Sequence, residues 1–305
     1  MIRVIAREPL PPSEAASGRR LADPDLLLKI ADQMQRAALP DNALADKFSH
    51  ILHDLRMGGT WKRTNRGRLP ITEEMIGAHI LPDADGEIAV LDLGASDGIT
   101  TLELVATLRK VFGNRTRAYM ADVNLFLLRY RKGPLFEYRA ANGEPIMARI
   151  GRLGLRLAGG RNGDGASDPI GGLYLGCAAL RRSMRLDTRI PLVHPFVRNE
   201  PAITAMELDC LVREATLVDR FLAVRASNVL NLDYFTTSQL HAAVGNIHFY
   251  LRDGGCLLVS RNHDVPGGET ENGSIWRKIG SRFVHLADFG VGSEIKEAVD
   301  GWTPS

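Results

Sequence analysis

Val90-Leu91-Asp92-Leu93-Gly94-Ala95-Ser96-Asp97-Gly98-Ile99-Thr100 carries an apolar run through a Gly-rich turn and out into a helical pattern. The run from Ile88 to Leu93 is short and almost wholly apolar, as expected of a parallel strand buried on both faces. Gly94 breaks it, and Thr100 to Phe112 continues with helical spacing. Ala118 to Ala121 then reads as a second strand that ends at Asp122. Strand, Gly-rich turn, helix and strand form the βαβ unit of a doubly wound sheet.

Working outward, strands are expected at 203–206, 221–226, 256–260, 283–289 and 294–299, with a helix from Thr237 to Tyr250. The last two strands lie so close together, around Gly290 to Ser293, that an antiparallel hairpin must join them. Before residue 82 no alternating pattern appears. Asp23 to Ala38 opens with Asp-Pro and places Leu27, Ile30, Ala31 and Met34 on one face. Ala43 to Met57 repeats that pattern, Thr72 to Leu81 adds a short helix, and Trp61 to Arg68 is a basic loop between them. The expected architecture is α/β: a Rossmann-like seven-stranded sheet with an antiparallel C-terminal hairpin, plus an N-terminal helical cap. Its domains are a cap at 1–82 and a sheet domain at 83–305 with an insertion at about 134–200. Within the insertion, Asn142-Gly143 reads as a hairpin turn and Gly159 to Gly172 as a loop.

Composition narrows the function. At 45% apolar and 24% charged residues over 305 positions the chain is an ordinary globular protein. Cys177, Cys210 and Cys256 match no zinc or haem spacing, and so sparse a set suits a reducing cytoplasm. No apolar run approaches the roughly 18–20 residues that span a bilayer, so no membrane span is expected. The start, MIRVIAREPLPPSE, has acids and prolines where a signal peptide needs an apolar core. The net charge of +2 conceals a segment, 105–163, that carries 12 basic and 3 acidic residues. An anionic partner is to be sought there. With aromatics at 6%, too few for stacking platforms, and no basic surface along the whole chain, nucleic acid is not expected.

The turn at 94–98 gives D-x-G-x-S-x-G at the carboxyl end of a strand, opening a helix. Its glycines let the backbone approach a ligand, and the helix amides offer partial positive charge. Ligands of open α/β sheets bind in this crevice. Asp122, ending the second strand, is placed to accept two ribose hydroxyls. Asp209, after the third, is placed to accept from an adenine amine.

On these residues the chain resembles the class I S-adenosylmethionine-dependent methyltransferases over about 88–300, with a gap at the insertion. The resemblance implies S-adenosyl-L-methionine as cofactor. Gly94, Ala95, Ser96, Asp97 and Gly98, after Asp92, would hold its methionine and ribose parts. Asp122 and Val123 would bind the ribose side, and Asp209 and Cys210 would flank the adenine. More narrowly, Gly94 to Gly98, the run Arg225-Ala-Ser-Asn-Val-Leu-Asn-Leu-Asp-Tyr-Phe235 and Gly254-Gly255 look like the chemotaxis receptor methyltransferases. Those proteins reach the cofactor with an Arg from a helical N-terminal domain. Thr60-Trp61-Lys62-Arg63 is a loose counterpart here, with Arg63 in that role, and the Asn-to-Tyr spacing departs by two residues.

Gly94-Ala-Ser96-Asp-Gly98 also satisfies the nucleophile elbow of α/β-hydrolases, with Ser96 as nucleophile and His285 or His263 as base. Asp92 before the first Gly, and no Gly-rich oxyanion segment upstream, weigh against it. For methyl transfer alignment dominates, and the base is poorly marked in sequence. His263, just after a strand, is of a residue type suited to base work near neutral pH, and Asn228 follows the 221–226 strand where the family faces its methyl group. Each has a plain alternative: a loop histidine, and a helix N-cap. Tyr234 and Asp233 could line an acceptor pocket or simply pack, and His248 lies in a helical run as a structural residue. Arg149, Arg152 and Arg156 have helical spacing, as in an anion-binding lid or a solvated face. The expectation is methyl transfer in line to an O, N or C nucleophile of a small, anionic molecule. Carboxyl methylation of a protein glutamate and a non-catalytic cofactor-binding module are the alternatives.

Overall fold

The computed structural model describes residues 2–4, 23–36, 41–53, 55–57, 60–62, 64–82, 86–151, 153–157, 173–174, 176–266 and 268–304. In chain order the strands are β1 (Ile2–Val4), β2 (Arg56–Met57), β3 (Thr60–Trp61), β4 (Ile88–Leu93), β5 (Thr116–Asp122), β6 (Phe126–Lys132), β7 (Leu135–Arg139) and β8 (Pro145–Ile150). They continue with β9 (Leu153–Leu157), β10 (Arg185–Pro191), β11 (Ile203–Glu207), β12 (Phe221–Ser227), β13 (Leu251–Val265), β14 (Gly268–Ile279) and β15 (Arg282–Phe289). The longer helices are α1 (Pro24–Arg36), α2 (Asn42–His53), α3 (Pro70–His79), α4 (Ile99–Phe112) and α5 (Thr237–Tyr250). Two compact units result: residues 1–64 with 124–195, and 65–123 with 196–305. These boundaries differ from the expected ones at 82, 134 and 200: α1 and α2 group with the inserted segment, and α3 groups with the seven-stranded sheet.

The unit of 65–123 and 196–305 is built on a sheet of order β11-β5-β4-β12-β13-β14-β15. The first five strands are parallel, and β14 runs antiparallel to both β13 and β15. Every residue of β4 is buried. Ala89, Leu91 and Leu93 pack with Leu240, Val244 and Ile247 of α5, whereas Ile88 and Val90 pack with Ile76 of α3 and Leu104 and Leu108 of α4. A strand covered on both faces needs apolar residues at both parities, which is why the run shows no alternation. Thr236 and Gln239 form a reciprocal capping box that starts α5.

The antiparallel hairpin is present but sits elsewhere than expected. Residues 294–299 are not a strand; a short helix, Lys296–Asp300, occupies them, and Trp276 Nε1 donates to Asp300 Oδ1 at 2.7 Å. The hairpins are β13–β14 and β14–β15. β14 is polar for a buried strand, and its polar groups are matched one by one. Glu271 accepts from the Ile71 and Thr72 amides at 3.0 Å each, at the start of α3. Asn272 Oδ1 accepts from Val291 N at 3.0 Å, and Ser274 Oγ accepts from Ser293 N at 2.8 Å and donates to Asp288. Buried polar groups are tolerated when so satisfied.

The other unit holds a six-stranded antiparallel sheet, β1-β9-β8-β7-β6-β10, together with α1, α2 and the β2–β3 ribbon. Asn142-Gly143 makes the β7–β8 turn, with Gly143 N donating to Ala140 O at 2.9 Å. The arginines read as a helical series lie on strands instead: Arg149 on β8 and Arg156 on β9, joined by a turn at Gly151 with φ +55°. Glycines at 151 and 154 break helical continuity and permit the hairpin. Arg152 and the loop 159–172 lie outside the described residues. His194 is fully buried against the edge of Phe48, 5.4 Å between rings, with Nε2 3.3 Å from Ala45 O.

One buried acid gives the sheet unit a pH dependence. Glu73 on α3 lies 3.9 Å from Arg225 Nη1 and accepts from Thr107 Oγ1 at 2.9 Å. Burial outweighs both and pushes its pKa up to about 7. Folded protein then keeps a proton that unfolded chain releases, so this stabilisation is complete below the ordinary carboxyl pKa and is lost as pH rises through 7. Glu73→Gln should therefore match the wild type near pH 4.5 and exceed it above pH 7 by about 1–3 kcal/mol, as read from urea midpoints across pH.

Candidate cofactor site

At the carboxyl end of β4 the chain takes three left-handed residues in alternation: Gly94 at φ +68°, Ser96 at +59° and Gly98 at +83°. Gly94 has no room for a side chain, because a Cβ there would stand 2.7 Å from that of Val229. Ser96 and the residue before it are held in place by two bonds to the end of β5. Ala95 N donates to Ala121 O at 3.1 Å, and Ser96 N donates to Asp122 Oδ2 at 3.0 Å. Asp97, fully buried, accepts from Ile99 N, the first amide of α4, at 3.0 Å.

The second-strand acid therefore lies directly against the Gly-rich loop, on the ligand-binding edge of the sheet. Asp122 is 7% exposed, while the next residue, Val123, is 51% exposed, an apolar surface beside a carboxylate. The third strand joins them in register: Glu207 of β11 pairs with Asp122, and Leu208 N donates to Asp122 O at 3.2 Å. Asp209 follows, half-buried, with Oδ1 accepting from Leu211 N at 2.9 Å. Ser96 Oγ is buried with no hydrogen-bond partner among the described residues. A buried hydroxyl in that condition costs free energy unless a ligand or water completes it. The donors and acceptors thus fit a ligand with a vicinal diol and a flat apolar group.

Other expected residues take different duties. Asp92 turns from the loop to Arg225, directly opposite it on β12. Arg225 is fully buried and donates to Asp92 through Nε at 2.8 Å and Nη2 at 2.5 Å. Thr101 Oγ1 donates to the same carboxylate at 2.5 Å, and Thr100 Oγ1 accepts from Arg225 at 3.2 Å, so the pair also grips the first turn of α4. Cys210 packs its side chain in the core, and its carbonyl accepts from Asn246 Nδ2 at 2.9 Å. Arg63 lies outside the described residues. Its neighbour Lys62 is buried, with Nζ donating at 2.9 Å to the carbonyl of Asn124, two residues along the chain from Asp122.

Asn228, at φ +60°, is neither free nor a helix N-cap. Its Oδ1 accepts from Asn262 N at 2.7 Å and its Nδ2 donates to Asn262 Oδ1 at 2.9 Å, locking the end of β12 to β13. Asn262 Nδ2 in turn donates to Arg68 O at 3.0 Å. His263 is exposed one residue further along β13, on the part that runs past the sheet as a ribbon with β14. Asp233 is ion-paired to Arg261, which also holds Glu294, and Tyr234 N donates to Asn231 Oδ1 at 3.0 Å. His248 lies against Trp302 at 4.6 Å, and its pKa is lowered by burial and by Lys278. The hydrolase constellation does not assemble: no side chain bonds Ser96 Oγ, and His285 is committed to Asp288 at 2.8 Å on β15. The pairing of Arg225 with Asp92, and the roles of Glu73 and Glu271, escaped the sequence reading. An Arg and an Asp in matching places on two apolar central strands were the available signal.

No family model matches the sequence, and no curated protein matches it. Solved structures with partial likeness include the citrinin polyketide synthase CMeT domain, at 16% identity and TM-score 0.33, covering 64% of this chain and 36% of that one. The trans-methyltransferase CalH in complex with SAH matches at 13% identity and TM-score 0.32, covering 78% and 43%. The sugar N-methyltransferase KedS8 from Streptoalloteichus matches at 13% and 0.31, covering 73% and 74%. The chain spans 36%, 48% and 59% of the length of the first three solved structures it matches.

The amide lock has a measurable signature. Asn228→Ala removes two bonds and leaves a left-handed residue without its side-chain support, and it should destabilise the fold by about 1–3 kcal/mol in urea. Asn228→Gly loses the same bonds but relieves the backbone, so it should fall between Ala and wild type.

Proposed function

We propose that this protein is an S-adenosyl-L-methionine-dependent methyltransferase acting on a small, anionic acceptor. One observation carries the reading: the Asp122 carboxylate, fixed against the Gly-rich loop by the Ser96 amide, beside exposed Val123 and the unpartnered Ser96 hydroxyl. When bound, that cofactor supplies a methyl group on a sulfonium, already activated for displacement. Asp122, with Val123 beside it, would hold the ribose side of that cofactor, and Asp209, at the end of the neighbouring strand, would flank the adenine. Ser96 Oγ would complete its hydrogen bonding on that group.

The chain's remaining task is alignment, since a sulfonium needs little covalent help. Asp92 and Arg225 keep the loop and the start of α4 in one geometry, so Asp92 acts as a positioning residue. Asn228 does the same at the end of β12, by fixing the base of the ribbon that carries His263. His263 is the proposed base, taking a proton from the acceptor where that is a hydroxyl or acid carbon. The excess of basic residues at 105–163 supports an anionic acceptor. The working compartment on this reading is the cytoplasm, in keeping with free thiols at Cys177, Cys210 and Cys256. Among the described residues no helix is long and apolar enough to cross a membrane.

Isothermal titration with S-adenosylhomocysteine tests the cofactor assignment. Micromolar binding is expected, weakened by about 1–3 kcal/mol in Asp122→Ala, the scale of lost charge-assisted hydrogen bonds. Absence of binding to the wild type would sink the reading. His263→Ala should leave that affinity unchanged and slow turnover of an acceptor hydroxyl by about 10²–10⁴-fold.

A further inference from the structure

Part of the basic excess of the middle segment is neutralised within the six-stranded sheet unit. Arg129 pairs with Asp25 and Asp187, Arg149 with Asp23, and both Arg139 and Arg181 with the fully buried Glu137. One end of the β6–β10 pair is different. Arg131 of β6 stands directly opposite Arg185 of β10, with Lys132 next along β6. Among the described residues none of these three cations forms an ion pair with a carboxylate. Like charges placed opposite each other across a strand pair are destabilising, so the fold sustains an uncompensated cluster there.

Two of the cations are already held in place. The Arg131 guanidinium lies 5.4 Å from the centroid of the Phe136 ring, and its Nε donates to Gly133 O at 3.1 Å. Lys132 Nζ donates to Ser183 Oγ at 2.6 Å, a hydroxyl that itself donates to Leu180 O. Side chains fixed in advance lose less freedom when they take up a ligand. Arg131, Lys132, Ser183, Arg185, Leu186 and Asp187 line an open cleft of about 460 Å³. That size falls in the range of small-ligand sites. Asp187 also lines the cleft, with both Nε and Nη2 of Arg129 donating to its Oδ2, and the three cations outnumber this one carboxylate.

We propose that this cleft binds a phosphate monoester group. Three cations match a dianion better than the single charge of a carboxylate, and a phosphate offers three strong acceptor oxygens to guanidinium and ammonium donors. Leu186, half exposed, gives the group's carbon skeleton an apolar flank. The ester reaches the cleft either as a soluble small molecule or as a lipid headgroup. The assignment does not depend on methyl transfer, and neither reading requires the other.

Titration of the full chain with inorganic pyrophosphate at fixed ionic strength tests it, on wild type, Lys132→Gln/Arg185→Gln and Arg131→Lys. The exposed substitutions should not lower the melting temperature, and the double variant, which relieves the Arg131–Arg185 repulsion, can raise it. Saturable one-site binding is expected, at least tenfold weaker in the double variant and several-fold weaker in Arg131→Lys, where the stacked planar fork is lost. Sedimentation with phosphatidic acid vesicles, against phosphatidylserine vesicles as control, separates the two sources. A preference for phosphatidic acid that the double variant abolishes assigns a lipid; no sedimentation with pyrophosphate binding intact assigns a soluble ester. No saturable binding of pyrophosphate, or equal affinity in the double variant, overturns the proposal. Binding of a single-stranded oligonucleotide without pyrophosphate binding overturns it too, in favour of a diffuse polyanion surface. S-adenosylhomocysteine binding is read separately, so failure here leaves the methyltransferase reading standing.

Discussion

The seven-stranded sheet is organised around a single buried ion pair, Asp92 with Arg225. Both residues sit mid-sheet on adjacent parallel strands, at matching register, with the guanidinium fully buried. Removing two charges from water costs several kcal/mol, and only close bidentate geometry with further hydrogen bonds recovers it. Thr100 and Thr101 supply those bonds from the first turn of α4. The pair is therefore satisfied only when strand β4, strand β12 and the start of α4 are in one arrangement, and that arrangement fixes both ends of the Gly-rich loop. Among the described residues Arg225 Nη1 has no hydrogen bond and faces Glu73, whose proton is held by burial against the pull of that guanidinium.

With its ends fixed, the loop can hold conformations that a free chain avoids. Ser96 is left-handed without being glycine, which costs of the order of 1 kcal/mol and persists only where the surroundings enforce it. The Asp122 carboxylate is one such constraint, and the same contact brings the acid to the edge where a ligand would lie. Asn228 repeats the device at the next crevice, again left-handed and again held by a partner on the neighbouring strand. Strain and ligand-binding geometry thus share the same hydrogen bonds.

Where elements were visible in sequence, local physics governed them. The uniform apolar run of β4, the capped helix α5 and the Asn142-Gly143 turn each carry their signal within a few residues. β14 does not. Its Glu271, Asn272 and Ser274 look like surface residues, and they are buried only because α3, the turn after β15 and Ser293 meet them with matching groups. The spacing of Arg149, Arg152 and Arg156 suggested a helix, but glycines between them favour a hairpin, and Asp23 on a distant segment receives Arg149. The charge excess of 105–163 was legible as a number, but not which part of it carboxylates far along the chain, Asp23, Asp25 and Asp187, would take up.

Taken alone, the amino-acid sequence determined the doubly wound core, the Gly-rich loop and the acid at the end of the second strand, since each follows from hydrophobic patterning and backbone sterics over short stretches. Tertiary structure alone decided the partners: that Asp92 serves the fold rather than the ligand, that Asn228 is an amide lock, that Cys210 is core, and that α1 and α2 belong with the inserted sheet. Pairing of buried polar groups depends on residues separated by tens to hundreds of positions, and a hydrogen bond at 3 Å leaves no trace in local composition.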